Sequence, residues 1–243
     1  AHAALALLRA GQHADPQRTL RAMANDADPL VRAHALDALG ECADPDSFGL
    51  VAAALTETQS PPVVRRSAAS ALAGIDPARA LDLLIGALND DDRSVRAALA
   101  AALSTIGEAA LAPVVAALSH PSYEDGALLA LERLPAHKAA AEIRAHAGHA
   151  VQTALHYHNL AVGLAQIFGR TPTDGDGRRQ LLIESLHEKG RRSGLNALRA
   201  VGLVGEREAV SVAVENLRSR DPAQRANALE TLESIGDRDL VRP

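Results

Sequence analysis

Half of the ten histidines in this chain lie between residues 137 and 158, which makes that segment a candidate metal site. They are His137, His146, His149, His156 and His158. His149 and His156 are seven residues apart and therefore about 10 Å apart along a continuous helix. The i, i+4 spacing that holds a metal on one helix does not occur. We therefore predict histidines that are partly exposed and no metal site.

Two other features could carry chemistry. Residues 174–177 (Asp-Gly-Asp-Gly) resemble part of a calcium loop but lack the third acidic position and the closing glutamate. Cys42 is the single cysteine, which excludes an intramolecular disulfide framework and a Cys-rich zinc site. With no histidine placed beside it by the sequence, Cys42 is expected to be a small buried residue. No nucleophile elbow, Walker loop or dinucleotide fingerprint occurs. We predict no catalytic, cofactor-binding or metal-binding residues, and no enzyme activity.

The composition points to stacked helices. Hydrophobic residues make up 47% of the 243 residues, aromatic residues only 2%, and tryptophan is absent. Because alanine and leucine fill a core only where thin elements approach closely, helices are favoured over sheets, which need β-branched and aromatic residues. The net charge of −5 argues against a nucleic-acid partner. The sequence contains no run of 18 apolar residues, so we predict no direct membrane insertion. With no signal segment and one cysteine, we expect a cytoplasmic protein.

An internal repeat organises the chain. A Val-Arg pair, small and apolar residues at helical spacing, and a glycine recur in residues 28–40, 61–74 and 92–107. Val31, Val64 and Val95 are 33 and 31 residues apart. Later copies occupy 193–205 and 225–236. Phased copies of this kind are the signature of a repeat architecture.

Between the copies lies another helical stretch, clearest at 78–88, 109–118 and 208–217. It forms the first helix of each pair, and the Val-Arg copy forms the second helix. Ala80, Leu83, Leu84 and Leu88 fall at the spacing that gives one apolar stripe on a helix. The unit is therefore a helix pair of about 31–34 residues, with its glycine in a left-handed cap after the second helix. Such pairs must stack to bury their apolar faces. We predict an all-α fold, an α-α superhelix of stacked antiparallel helix pairs.

The pattern D-x-x-V-R-x-x-A-x-x-A-L-x-x-x-G, best matched at 92–107, resembles the HEAT-like repeats, especially the short bacterial type found in phycobilisome-lyase proteins. Residues 216–243 are similar to HEAT segments that some bacteria fuse to membrane transporters or cyclic-nucleotide-binding modules. The resemblance implies a solenoid and leaves the function open, since such repeats serve scaffolds, adaptors, lyases and glycosylases.

The repeat pattern predicts three segments in one continuous solenoid. Residues 1–144 are regular repeats, and 191–243 are further repeats. Residues 145–190 form an irregular helical segment, interrupted at Gly148, that contains the loop 169–177. This segment either joins two repeat blocks or is an insertion that contacts a ligand. Because both ends fall inside incomplete repeats, we expect the chain to be a piece of a longer protein.

Charged residues recur at the start of the second helices. They are Asp28 and Arg32, Asp92 and Arg96, and Asp221 and Arg225, with Arg65 at the equivalent position of another copy. The aspartates can cap the helices, and the arginines can pair with them or with a carboxylate of the next repeat. We predict a structural ladder; the alternative is a row of anion-binding arginines.

The leading functional hypothesis is a non-catalytic scaffold that binds a protein or a fused domain. On the second helices, positions 33 and 37 should face outward, together with their equivalents Arg66 and Ser70, Ala97 and Ala101, and Ala226 and Glu230. This surface, centred on Asp37, Arg66, Ser70 and Glu230, could accept a peptide or helix. Tyr157 and Phe168 are either core residues or anchors of a binding pocket.

Three alternatives belong to other classes. A bilin lyase-like activity follows from the resemblance and would need aromatic and acidic groups gathered together. A lesion-binding protein would need a basic groove and stacking aromatics, which the composition disfavours. The third is a ligand-responsive regulatory domain of a larger membrane or signalling protein.

Overall fold

The computed structural model describes residues 14–57, 59–168 and 176–205, with a few isolated positions between 210 and 224. Within these ranges the chain forms helices and no strand, so the predicted all-α superhelix of HEAT-like pairs is confirmed. The contacts divide the chain into two compact units, Ala1–Pro135 and Ala136–Pro243.

The described part of the first unit, from residue 14 onward, consists of four helix pairs. In chain order they are α1 (Ala14–Met23) with α2 (Pro29–Glu41), α3 (Phe48–Thr56) with α4 (Pro62–Ile75), α5 (Pro77–Gly86) with α6 (Arg93–Ile106), and α7 (Leu111–Ala117) with α8 (Glu124–Leu131). Short 3₁₀ helices, Pro45–Ser47 and Gly107–Ala110, lead into α3 and α7. The second helices stack in the order α2, α4, α6, α8, and each packs against the first helix of its own pair.

The core of this unit is built from leucine and alanine. Leu36, Leu72 and Leu99 are fully buried on successive second helices, as are Ala35 and Ala68. Because alanine adds only a methyl group, neighbouring helices approach closely while leucines fill the remaining space. The alanine-rich composition is thus a direct consequence of the stacking.

The repeat glycines have two different roles. Gly107 follows α6 with a φ of 80°, so the positive φ expected at this helix end is present, but its ψ of −140° differs from that of a left-handed cap. The predicted cap is wrong for Gly40, which lies inside α2. A Cβ at Gly40 would lie 2.6 Å from the Cα of Ala71 on α4. A Cβ at Gly74, inside α4, would lie 2.8 Å from the carbonyl oxygen of Gly40. These two glycines bring two helix backbones together.

The left-handed residue after α2 is Ala43, with a φ of 48°. Its N–H donates to the carbonyl of Gly40 at 3.1 Å and so closes the end of the helix. Since a side chain disfavours this conformation, Ala43→Gly should raise the free energy of unfolding by about 1 kcal/mol. Urea denaturation followed by circular dichroism measures this. Ala53→Gly inside α3 is the control and should lower stability by a similar amount; equal effects of the two changes would contradict the assignment.

The second unit contains a short 3₁₀ helix, Ala136–Ala139, followed by two long helices. They are α9 (Ala140–Phe168) and α10 (Asp176–Val204), each of 29 residues. The two pack along each other in antiparallel directions, because Phe168 contacts Arg179 and Tyr157 contacts Lys189.

A seam with alternating spacings of four and three residues runs along both helices. On α9 it comprises 143, 147, 150, 154, 157, 161, 164 and 168, and on α10 it comprises 179, 183, 186, 190, 193, 197, 200 and 204; all of these positions are buried or half-buried. This is the spacing of a coiled coil. Small residues such as Ala147, Ala150, Gly190 and Ala197 allow a close approach.

This hairpin differs from the predicted irregular segment. The interruption predicted at Gly148 is wrong, because α9 continues through it. The predicted segment boundaries after residues 144 and 190 are also wrong, because they fall inside α9 and α10. Two long helices that pack against each other replace the short helix pairs expected from the repeat. The repeat copy at 193–205 forms the second half of α10. Of the predicted loop, 169–175 lies outside the described residues, and Asp176 begins α10.

One helical stretch of the described residues, 93–117, is long and apolar enough to cross a membrane by length and composition. It comprises α6, the 3₁₀ helix and α7, and it is broken at Gly107. Val95, Leu99 and Leu103 are buried in the repeat core. The apolar character of α6 therefore follows from its central place in the stack.

Candidate interaction site

The stacked second helices of the first unit present a row of exposed side chains. Asp37 on α2, and Arg66 and Ser70 on α4, are exposed, while Ala97 and Ala101 on α6 are half-buried. These are the positions that the repeat pattern predicts to face outward. The prediction is wrong for Ala33, which is buried because its one-methyl side chain lies under the neighbouring helices.

A cavity of about 430 Å³ lies within this row. Its lining residues come from three successive repeats: Asp37 from α2; Arg66, Ser67 and Ser70 from α4; and Ser94, Ala97 and Ala98 from α6. We call this surface the second-helix groove. Small residues keep it open, since alanine and serine cannot fill the space between three helices.

The groove carries two charges that the described part of the first unit does not neutralise. Among the described residues, neither the carboxylate of Asp37 nor the guanidinium of Arg66 forms an ion pair or a side-chain hydrogen bond. By contrast, Arg65, one residue away, is fully engaged with Asp90. A donor and an acceptor of opposite charge are therefore available to a ligand.

The groove is lined by hydrogen-bonding groups. Its serine hydroxyls, one carboxylate and one guanidinium supply hydrogen-bonding groups for a polar chain. No histidine, cysteine or aromatic side chain lines it. A hydroxyl without a neighbouring base is a weak nucleophile, so this geometry suits recognition.

The ladder residues of the first unit form hydrogen bonds at the helix starts and the loops before them. Asp28 accepts from the N–H of Leu30 at 2.9 Å, and Asp92 accepts from the N–H of Ser94 at 2.8 Å, so both cap their helices. Arg32 donates to the carbonyls of residues 26 and 27, at 2.8 and 3.1 Å. The arginine thus binds the loop that enters its helix and does not pair with the capping aspartate.

Arg96 makes the equivalent contacts, donating to the carbonyls of Asp90 and Asp91 at 2.5 and 3.0 Å. Arg96→Ala should lower the free energy of unfolding by about 1 kcal/mol, because it leaves two carbonyls of a partly exposed loop without this donor. Thermal melting measures the change, with Arg93→Ala at an exposed position as the control. Loss of anion binding without loss of stability would instead support the row of anion-binding arginines.

One arginine of the ladder joins two repeats. Arg65 on α4 forms a bidentate pair with Asp90, in the loop before α6, at 2.7 and 2.8 Å. It also donates to the carbonyl of Ser60. Burial by itself raises the pKa of Asp90, but the hydrogen bonds from Arg65 and from the N–H of Asp92, together with the charge of Arg65, outweigh burial and hold the pKa below its usual value. This pair matches the contact expected with a carboxylate of the next repeat.

A second pair of this kind involves residues outside the ladder. Arg21 on α1 binds Asp44, between α2 and α3, through two contacts of 2.7 Å. Asp44 is only 2% exposed and also accepts from the hydroxyl of Ser47. Burial opposes its ionisation, but Arg21 and Ser47 together lower the pKa of Asp44.

Because the pKa of Asp44 is lower in the folded than in the unfolded chain, the unfolded chain binds more protons near pH 4, the usual pKa of aspartate. The stabilisation from Asp44 is therefore complete above about pH 4 and is lost as the pH falls through the folded-state pKa. Urea midpoints measured between pH 7 and pH 2.5 should decline, and the decline should be shallower in Asp44→Asn. An identical slope in the variant would contradict this assignment.

A cavity of about 490 Å³ on the first-helix side is acidic. It is lined by Leu55, Thr56, Glu57, Arg65, Asp82, Leu83, Gly86, Ala87, Asn89, Asp90 and Asp91. The single arginine is already held by Asp90. No described group of three histidine, cysteine or acidic side chains has the geometry to hold a metal.

Cys42 is half-buried at the end of α2, where its thiol contacts the carbonyl of Leu39 at 3.5 Å. Burial, together with the nearby charge of Asp44, raises the pKa of this thiol. A raised pKa disfavours the thiolate, which is the nucleophilic form. The expectation of a small buried residue is met in part, because Cys42 is half-buried.

The remaining predicted residues belong to the second unit. Tyr157 and Phe168 are half-buried seam residues, each covered by a cation of α10: the Nζ of Lys189 lies 5.7 Å from the centre of the Tyr157 ring, and the guanidinium carbon of Arg179 lies 5.0 Å from that of Phe168. Each ring therefore lies at the contact between α9 and α10. Asp221 accepts from the N–H of Ala223 at 2.9 Å. Arg225, Ala226 and Glu230 lie outside the described residues.

The histidines of α9 do not form a metal site with the rest of the described chain. His149, His156 and His158 are exposed. His158 faces His187 of α10, with 6.0 Å between ring centres. The repeat pattern does not predict this pair, because the pairing depends on the register of the seam between α9 and α10.

Comparison with known families agrees with the geometry. The family model of the HEAT repeats matches residues 1–73 and 49–134. Because the matches cover more than half of the chain, this protein belongs to the HEAT-repeat family. The resemblance proposed from the D-x-x-V-R pattern is confirmed at this level.

Among solved structures, a chain of the complex of CpcE and CpcF of phycocyanin lyase from Nostoc sp. PCC7120 is similar to this one. The sequence identity is 20% and the TM-score 0.41, over 91% of this chain and 77% of that chain. We attach no functional conclusion to a similarity at this level. No curated protein matches the sequence significantly.

Proposed function

We propose that this chain is a non-catalytic scaffold that binds a protein or a fused domain through the second-helix groove, in the cytoplasm. The observation that carries the proposal is the pair of charges in the groove, Asp37 and Arg66, which no described side chain neutralises. A charged group held in a concave surface favours a partner that supplies the opposite charge.

The chemistry of the groove defines the ligand. Hydroxyls of Ser67, Ser70 and Ser94 line the groove together with the two charges and the side chains of Ala97 and Ala98. A polar, extended peptide could donate to Asp37 and the serines while an acidic side chain meets Arg66. The lining is too small and polar for a large apolar anchor.

The experiment places a photo-crosslinking amino acid, p-benzoylphenylalanine, at Ser70 in the organism that makes the protein. We expect a discrete cross-linked protein that disappears in Arg66→Glu. Ala78, exposed on the first-helix side, is the matched control and should give no such product. The purified partner should then bind the Arg66→Glu variant at least tenfold more weakly. Equal cross-linking from Ser70 and Ala78 would reject the proposal.

The alternative of a bilin lyase-like enzyme needs acidic and aromatic groups around one pocket. Neither cavity described above contains an aromatic side chain or a histidine. Incubation with a bilin should therefore leave the absorbance of the pigment unchanged, and a shifted or covalently retained spectrum would favour the lyase. A regulatory domain of a membrane or signalling protein would use the same groove, with a fused domain as its partner.

A further inference from the structure

The distal half of the hairpin in the second unit exposes apolar side chains without any charge of α9 beside them. Residues 145–168 contain no Asp, Glu, Lys or Arg, although charged residues make up 23% of the whole chain. Within this stretch Leu160 is 42% and Ile167 61% exposed, and on α10 Leu182 is 46% exposed. Exposed helix faces of a water-soluble surface usually carry charges, so this stretch has the composition of a covered surface.

These three residues lie on one side of the hairpin. Each directly precedes a seam residue: Leu160 precedes Ala161, Ile167 precedes Phe168, and Leu182 precedes Ile183. In an antiparallel helix pair, such positions of the two helices flank the seam on the same side. The contacts of Tyr157 with Lys189 and of Phe168 with Arg179 place Leu182 at a level between Leu160 and Ile167. We call these three residues the hairpin patch.

The edge of the hairpin patch is basic. On α10, Arg178, Leu182, Ser185 and Lys189 follow each other at spacings of four, three and four residues and therefore share a face. Arg178 and Lys189 are both exposed, and no acidic residue occurs in this row. An apolar strip with cations along one edge is complementary to an apolar strip with carboxylates along one edge.

We propose that the hairpin patch binds an amphipathic helix of another protein whose apolar face is flanked by Asp and Glu. The helix would lie along α9 and α10, with its apolar residues on Leu160, Ile167 and Leu182 and its carboxylates near Arg178 and Lys189. This deepens the scaffold proposed above by adding a second binding surface and a class of partner.

Two other occupants fit less well. A second copy docked patch to patch by a two-fold axis would bring rows with the same charge together, which is unfavourable. The chain that follows α10 begins at the other end of the hairpin, where Val210 lies beside Gly202. This segment therefore starts more than 20 residues from Leu182, which is about 30 Å along the helix, and does not begin beside the hairpin patch.

The test uses the full chain and a fluorescein-labelled synthetic peptide of 18 residues, with leucine at i, i+3, i+4 and i+7 spacing and glutamate along both flanks. Fluorescence anisotropy should show binding that weakens with salt. The double variant Ile167→Gln, Leu182→Gln should lose at least tenfold in affinity. Leu30→Gln, at a residue of the first unit that is 57% exposed, is the matched control and should bind like the wild type. Unchanged melting of all variants verifies the fold.

A peptide with lysine in place of glutamate should bind at least tenfold more weakly. Equal binding of the two peptides, no binding, or the same loss in Leu30→Gln would overturn the proposal. So would self-association in sedimentation that the double variant abolishes, or preferred binding to phosphatidylglycerol vesicles. Arg66→Glu should leave peptide binding unchanged, so failure of the second-helix groove and failure of the hairpin patch are distinguishable.

Discussion

Gly40→Ala should destabilise the first unit by about 2–3 kcal/mol. The new methyl group would lie 2.6 Å from the Cα and 2.9 Å from the Cβ of Ala71, so it meets a backbone and cannot be avoided by a rotamer change. Helices α2 and α4 would have to move apart, which opens the leucine and alanine packing between them. Urea denaturation followed by circular dichroism gives the free energy of unfolding.

The control is Gly49→Ala, which adds the same methyl group to a helix at a position where, apart from the chain neighbours and the backbone of the helix itself, no atom lies within 4 Å. Alanine is the better helix former, so this change should stabilise by up to about 1 kcal/mol. The two substitutions are thus expected to have opposite signs. If Gly40→Ala also stabilises, α2 and α4 are not in the close contact described above.

Asp90→Ala should destabilise by about 2–4 kcal/mol, because it leaves the guanidinium of Arg65 with no carboxylate in a largely dry site. The side chains of Arg65 and Asp90 are only 15% and 11% exposed. The pair also connects α4 to the loop before α6, so its loss weakens the contact between two repeats. Thermal and urea unfolding both measure the effect.

Asp91→Ala is the matched control for this change. Asp91 is the neighbouring exposed carboxylate, and its removal should change stability by less than about 0.5 kcal/mol. In a double-mutant cycle, Arg65→Ala should cost much less in the Asp90→Ala background than in the wild type. Additive effects of the two substitutions would show that the pair contributes nothing.

The repeat pattern predicted most of the first unit. The Val-Arg pairs and apolar spacing place α2, α4 and α6 within a few residues, because each repeat needs the same packing at each interface. The pattern also predicted the exposed row with Asp37, Arg66 and Ser70. It misplaced Ala33, since the repeat alone does not show how far neighbouring helices cover a small side chain.

The repeat pattern did not predict the Arg–Asp pairs of the first unit or the long hairpin of the second unit. The pairs Arg21–Asp44 and Arg65–Asp90 connect residues 23 and 25 positions apart, which only the stacked fold brings together. The sequence does contain one repeated feature around Asp90. Like Asp26, Asp90 lies two residues before a capping aspartate, and both carboxylates accept the N–H of that aspartate. The hairpin was missed because its seam has alternating spacings of three and four residues filled by small side chains, which a search for 31–34-residue units passes over.

The contact between Gly40 and Gly74 also bears on how such an array can change by duplication or recombination. A repeat transplanted next to α2 must offer a small residue at the position of Ala71 and a glycine at the position of Gly74, as α4 does. Counted from Val64 on α4 and Val95 on α6, the position of Gly74 corresponds to Thr105, two residues before the repeat glycine Gly107. Exchange of the second and third repeats would therefore bring a hydroxyl-bearing side chain against a backbone that leaves no room for a methyl group. The copies share a pattern, but their order along the chain is fixed by their neighbours.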